Sequence, residues 1–208
     1  MNIEIIPVTA FQQNCSLIWD DEKNAAIIDP GGNAEKLIQR IEELELNLKA
    51  VLLTHGHLDH VGAAEAIRDH FNIKIWGSQE EDGFLFESLP QQSQQFGLPY
   101  ISAFTPDRWF NQEGEKIQIG AFTFEILHLP GHTPGHIGFI EHEKNIAFRI
   151  NDGCLHGLKC PNHVQNRIFR RIGLSNDRRR YGQESGKQQR FGGCLSGRCQ
   201  YSAVDETR

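Results

Sequence analysis

A chain of 208 residues, 38% of them hydrophobic, is long enough to bury a substantial core in one domain. It has no apolar run of the roughly 18 residues a membrane helix needs. Its start, Met1-Asn2-Ile3-Glu4, lacks the basic-then-apolar pattern of a secretory signal, so a cytoplasmic protein without membrane association is expected. The formal net charge of −6 conceals an acidic first part and a basic tail, a division taken up below.

In chain order, Ile3-Glu4-Ile5-Ile6-Pro7-Val8 and Cys15-Ser16-Leu17-Ile18-Trp19 read as strands rich in β-formers, and Ala25-Ala26-Ile27-Ile28 as a third after a polar turn. Asp29-Pro30-Gly31-Gly32 ends that strand. Pro30 cannot continue a central ladder, and the glycines permit positive φ. Asn33 is a fitting N-cap for a helix to about Leu46, with Leu37, Ile38, Ile41 and Leu44 on one apolar face. That face is core packing.

Ala50–Thr54 reads as a strand that delivers Thr54-His55-Gly56-His57-Leu58-Asp59-His60 at its C-terminal end, where α/β proteins commonly place ligand sites. Three imidazoles and a carboxylate fall within six residues of a chain with ten histidines. Imidazole and carboxylate suit zinc, iron or manganese. Gly56 lets the backbone bend so that His55 and His57 reach one ion, and Asp59 and His60 turn toward a second. A helix from Val61 to His70 follows, then a strand at Lys74-Ile75-Trp76. Glu80 to Glu87 is a short acidic helix, and the Gln- and Ser-rich stretch from Pro90 to Phe96 is an excursion whose Phe and Leu residues pack the loop. Ile117–Ile119 and Phe122–Ile126 alternate as strands around Gly120. His128-Leu129-Pro130-Gly131-His132-Thr133-Pro134-Gly135-His136 is a rigid loop, and Ile137–Ile140 and Asn145–Phe148 are two more strands.

Three stretches, in this order and spacing, resemble the metallo-β-lactamase superfamily and within it the short glyoxalase II-like hydrolases. They are Asp29-Pro30-Gly31-Gly32, the His-x-His-x-Asp-His run from His55 to His60, and Pro130 to His136. The resemblance covers Met1 to about Phe148. It implies an α/β protein with the four-layer αββα sandwich, its second half atypical here. It makes His55, His57 and His132 ligands of one ion, and Asp59 and His60 part of the site of another. Asp29 would stand close behind the metals, and His136 would brace the loop. It implies two zinc ions per chain, with iron or manganese as other occupants, and hydrolysis of a thioester such as S-(2-hydroxyacyl)glutathione, with Asp59 also orienting the nucleophile. Two other readings stay open: a mononuclear iron enzyme acting on a glutathione persulfide, and a defective, non-enzymatic product.

The last reading arises from residues 149–208. Residues 1–148 carry 9 basic and 22 acidic side chains, and residues 149–208 carry 12 and 5. Arginine rises from three to ten across that line and cysteine from one to four. The family pattern expects a small-Gly-Asp element and a late Gly-His. The chain instead reads Phe148-Arg149-Ile150-Asn151-Asp152-Gly153, which leaves Asp152 as a displaced stand-in for the bridging ligand, and no Gly-His follows. Arg178-Arg179-Arg180 has no aromatic interleaving, so nucleic acid is not an expected partner. The spacings of Cys154 and Cys160, and of Cys194 and Cys199, do not match zinc knuckles. Residues 149–208 are therefore either a divergent or disordered basic tail or the product of a reading-frame slip near codon 148. The abruptness of the change favours the slip.

Overall fold

The computed structural model describes residues 1–149. Nine strands form two sheets among them. The first contains β1 (Asn2–Val8), β2 (Gln13–Trp19), β3 (Asn24–Ile28), β4 (Asn47–Leu53) and β5 (Lys74–Gly77), paired in that order. β1, β2 and β3 are antiparallel, and β3–β4 and β4–β5 are parallel. The second sheet pairs β6 (Lys116–Ile119), β7 (Phe122–His128), β8 (Ile137–Glu141) and β9 (Ile146–Phe148), all antiparallel.

Side chains alternate across each strand, and this alternation builds two cores. Ile18, Ala26, Ile28, Ala50 and Leu52 leave one face of the first sheet and meet Ile117, Ile119, Phe122, Phe124, Ile126, Ile137 and Phe139 of the second. Cys15, Leu17, Ala25, Ile27, Val51 and Leu53 leave the opposite face. They pack with Leu37 and Ile41 of α1 (Ala34–Glu43) and Ala64 and Ile67 of α3 (Ala64–Phe71). The layer order is helix, sheet, sheet. Leu127, Leu129 and Ile140 form a smaller buried cluster on the outer side of the second sheet.

Five expectations need correction. The helix predicted to Leu46 ends at Glu43, because Glu45 turns into the left-handed region (φ 55°) and the Glu45 and Leu46 amides bond back to the Glu42 and Ile41 carbonyls. Leu46 then packs in the same core as Ile41. The helix predicted from Val61 to His70 is two pieces, α2 (Leu58–Val61) and α3. The Ala63 amide leaves the helical ladder to donate to the Pro30 carbonyl (2.8 Å), which docks the 29–32 turn there. The Pro90–Phe96 excursion is a helix, α5 (Leu89–Phe96), which follows a 3-10 turn at Glu80–Asp82 and α4 (Gly83–Glu87). Positive φ falls on Asp29 (53°) and Asn33 (55°), not on the two glycines between them. Asn33 holds the N-cap position without capping; its side chain accepts instead from the Thr9 amide (2.8 Å).

Candidate metal centre

β4 is buried along its last four residues, so its C-terminal end brings Thr54 and His55 into the interior, both fully buried. Gly56 follows because no side chain fits there: a Cβ would lie 2.8 Å from Leu85 and from Phe86. The backbone then turns, His57 takes an extended conformation (φ −72°, ψ 145°), and α2 starts at Leu58. Gln92 of α5 fixes that start, accepting the Leu58 amide at 2.9 Å while donating to the Leu85 carbonyl at 2.8 Å.

His55 Nε2 lies 3.0 Å from His57 Nδ1, and His57 Nδ1 lies 3.0 Å from His132 Nε2. Three imidazole nitrogens thus converge, one of them from a residue 75 positions away. Nitrogens bound tetrahedrally to zinc at ordinary bond lengths stand about 3.3 Å apart, so the set fits one ion with a small outward adjustment. The tautomer of His55 is set from behind. Thr54 Oγ1 donates to Asp29 Oδ2 (2.7 Å), so at 3.1 Å it accepts from His55 Nδ1, which leaves the Nε2 lone pair facing the cluster. Burial first, and then the neighbouring imidazoles, push the His55 ring well below the usual histidine range. The same causes bring His57 down to about 4, so both rings are neutral at pH 7, the form in which imidazole can bind a metal.

Beside this set, His60 Nε2 and Asp59 Oδ2 lie 3.8 Å apart, and the His55 and His60 ring centroids are 4.2 Å apart. His60 Nδ1 faces the other way, 3.1 Å from Asp29 Oδ2 and 3.1 Å from Gln13 Nε2. A second close grouping, Asp29, His55 and His60, is fully buried. It is a scaffold and not an ion cage. Asp29 is occupied by the Thr54 amide (2.7 Å), the Thr54 hydroxyl and His60, and it presents the outer nitrogens of two rings toward the cleft. Asp29 is therefore more than a turn carboxylate: it orients residues from both halves of the centre.

His132 sits in the loop between β7 and β8. The Ile137 amide donates to the Thr54 carbonyl (2.9 Å) and ties the exit of that loop to the exit of β4. His136 is buried, with Nδ1 3.2 Å from the Leu129 carbonyl, and braces the loop as expected. His70, His128 and His142 lie apart from the centre, at Glu42, the Pro134 carbonyl and Glu125 respectively. Asp152 lies outside the described residues. Sequence reasoning missed Asp82, Gln92 and Gln13; nothing local distinguishes them from ordinary polar positions. A cavity of about 750 Å³ is lined by Thr9, Gln12, Asn33, Leu58, Ala66 and Leu98 among others; none of His55, His57, Asp59, His60 and His132 lines it. Among the described residues no helix is long and apolar enough to cross a membrane.

The family model described as the metallo-beta-lactamase superfamily matches residues 8–149. A protein of Haemophilus influenzae named hydroxyacylglutathione hydrolase GloC is 79% identical over 148 residues, which are 71% of this chain and 70% of the relative. Two solved structures superpose well. The BLEG-1 B3 metallo-beta-lactamase has a TM-score of 0.68 at 30% identity, over 81% of this chain and 84% of its own. TTHA1623 in a di-iron-bound form has a TM-score of 0.67 at 28% identity, over 83% and 87%. The converging histidines of two loops at one edge of a β-sandwich and the family match over more than two thirds of the chain agree: this chain belongs to the metallo-beta-lactamase superfamily.

Proposed function

We propose that the chain is a metal-dependent hydrolase of thioesters, acting on S-(2-hydroxyacyl)glutathione to release a hydroxy acid and free glutathione in the cytoplasm. The convergence of His55, His57 and His132 at 3.0 Å, with Asp59 and His60 alongside, carries this reading. The name and the 79% identity of the Haemophilus influenzae relative supply the substrate class.

His55, His57 and His132 would hold one ion, and Asp59 and His60 would contribute to the site of a second. Bound metal supplies a Lewis acid and lowers the pKa of water toward about 7, so that hydroxide is available at neutral pH. Asp59, 3.8 Å from His60 Nε2, would also orient the attacking water and accept its proton. The water oxygen bonds to the acyl carbon, the C–S bond breaks, and the sulfur leaves as thiolate and is protonated. Thr54 and Asp29 keep the ligating nitrogens aimed while this happens. Zinc is the proposed metal in both positions. Iron is the competing choice, favoured by the di-iron form of the 28% identical TTHA1623.

The protein carrying the Gly-Asp and late Gly-His that the family pattern expects is expected to release thiol from S-lactoylglutathione, to lose that activity to a chelator and to regain it with added zinc. Hydrolysis that persists in a chain stripped of metal would sink this reading. Elemental analysis showing iron in place of zinc, with oxygen consumption on a glutathione persulfide, would favour the dioxygenase alternative.

We further propose that residues 1–148 form the metallo-β-lactamase-like domain, with its first half and its second metal motif, and that residues 149–208 were produced by a frame slip. The end of the family match at residue 149, where the composition changes, supports this. The nucleotide sequence after codon 145 should then encode, in another frame, a Gly-Asp and a later Gly-His. If one does, the natural product is a dinuclear metallohydrolase and the second metal site of this chain is incomplete; if no frame does, the tail is authentic and the second metal site is absent or built differently.

A further inference from the structure

Asp82 is fully buried at the end of the 3-10 turn, 26 residues from Gly56 and 51 from Thr133. Burying a carboxylate costs several kcal/mol unless donors surround it. Here Oδ1 accepts the Gly135 amide (2.7 Å), and Oδ2 accepts the Thr133 hydroxyl (2.9 Å) and the Gly56 amide (3.3 Å). Burial still raises its pKa, opposed by these three bonds. All three donors lie on the two ligand-bearing loops. Gly56 separates His55 from His57; Thr133 follows His132, and Gly135 closes the same loop. The Gln79 amide holds the Gly135 carbonyl from the same turn (2.9 Å). Gly135 is glycine because a Cβ would lie 2.7 Å from Asp82 Cγ and 2.5 Å from the Gln79 carbonyl oxygen.

We propose that Asp82 is a positioning residue that sets the spacing between the two histidine loops, and with it the fit of the three-histidine site to its ion. The proposal rests on the metal-centre reading above. A carboxylate does this where an apolar side chain cannot. Its two oxygens take donors from separate segments at once, and a short rigid side chain transmits little slack. Asparagine keeps the shape but offers one acceptor oxygen, so at least one of the three bonds is lost and its NH₂ is brought against a donor.

The test is a cobalt titration of the metal-free full chain, read by visible absorbance, together with amide hydrogen exchange at Gly56 and Gly135. Groups behind metal ligands commonly govern affinity by 10–100-fold. Asp82→Asn is expected to weaken cobalt binding at least about tenfold, to alter the spectrum, and to speed exchange at one or both amides. Thr133→Val, which removes a single bond, is expected to give a smaller loss in the same direction and decides the matter if Asp82→Asn fails to fold. Cobalt affinity and spectrum equal to the parent's in the folded variants would overturn the proposal, leaving Asp82 a purely structural group. A parent chain that takes up no cobalt would overturn the metal-centre reading itself, and the proposal with it.

Discussion

His57→Ala is expected to abolish thioester hydrolysis and to empty the three-histidine site, while leaving the fold intact. His57 is the middle member of the cluster, within 3.0 Å of both His55 Nε2 and His132 Nε2. Removing it leaves two ligands on two different loops with nothing between them. Groups that merely support ligands are worth 10–100-fold, so loss of a ligand should exceed about a hundredfold, or about 2.7 kcal/mol of transition-state stabilisation. The fold should survive because His57 is only half-buried and its ring, with a pKa lowered to about 4 chiefly by burial, is neutral at pH 7 and takes part, among the described residues, in no buried ion pair that its removal would break. His70→Ala is the matched control: this exposed histidine pairs with Glu42 at 2.9 Å, far from the centre. Elemental analysis and thiol release read the two outcomes together. Unchanged turnover in His57→Ala would remove His57 from the mechanism.

Gly31→Ala is expected to cost both stability and the second ion. A Cβ at Gly31 would lie 1.5 Å from the Asp59 carbonyl oxygen, 2.3 Å from its carbon and 3.0 Å from the His60 nitrogen. The peptide it strikes joins the two residues assigned to the second ion. That peptide cannot simply retreat. The Leu58 amide is held by Gln92, the Ala63 amide is held by the Pro30 carbonyl, and Gly62 itself packs on the Gly31 carbonyl. Overpacking ordinarily costs 1–3 kcal/mol, and backbone against backbone places this case at about 3 kcal/mol or above. For a chain of this length that is a fall of about 6–12 °C in Tm. Metal content should drop by one ion per chain, because His55, His57 and His132 are untouched. Gly83→Ala is the comparison: nothing lies within 4 Å of its Cβ position at the start of α4, so it should be neutral or slightly stabilising. A Gly31→Ala protein with the parent's melt and full metal content would show that α2 shifts freely, against the picture of a pinned Asp59–His60 segment.

The glycines of the 29–32 turn show where sequence reasoning reached and where it stopped. Asp-Pro-Gly-Gly after a strand announces a turn next to the site. It also suggests that the glycines supply positive φ, yet Asp29 and Asn33 carry it, and Gly31 is needed because another backbone lies against it. Turn chemistry is local and legible; close approach between distant segments is not. α5 is a similar case. A Gln-rich stretch has no apolar period, and its helix rests on Leu89 and Ser93 being buried and on Gln92 reaching Leu58 and Leu85.

By itself the sequence determined the strands, α1, the histidine loop and the approximate partner loop. Periodicity fixes which side chains a segment offers to a core, and ligand-rich spacing is improbable without a ligand. Only the tertiary structure decided which nitrogen of the His55 and His60 rings faces inward, since that depends on the Thr54–Asp29–His60 hydrogen bonds assembled across β3, β4 and α2. The family resemblance put His132 with His55 and His57; the structure shows how closely they meet, 3.0 Å across 75 positions, and alone placed Asp82 between their loops. Such meetings are set by how the two sheets pack and how each loop leaves its strand, and no single segment of the chain encodes either.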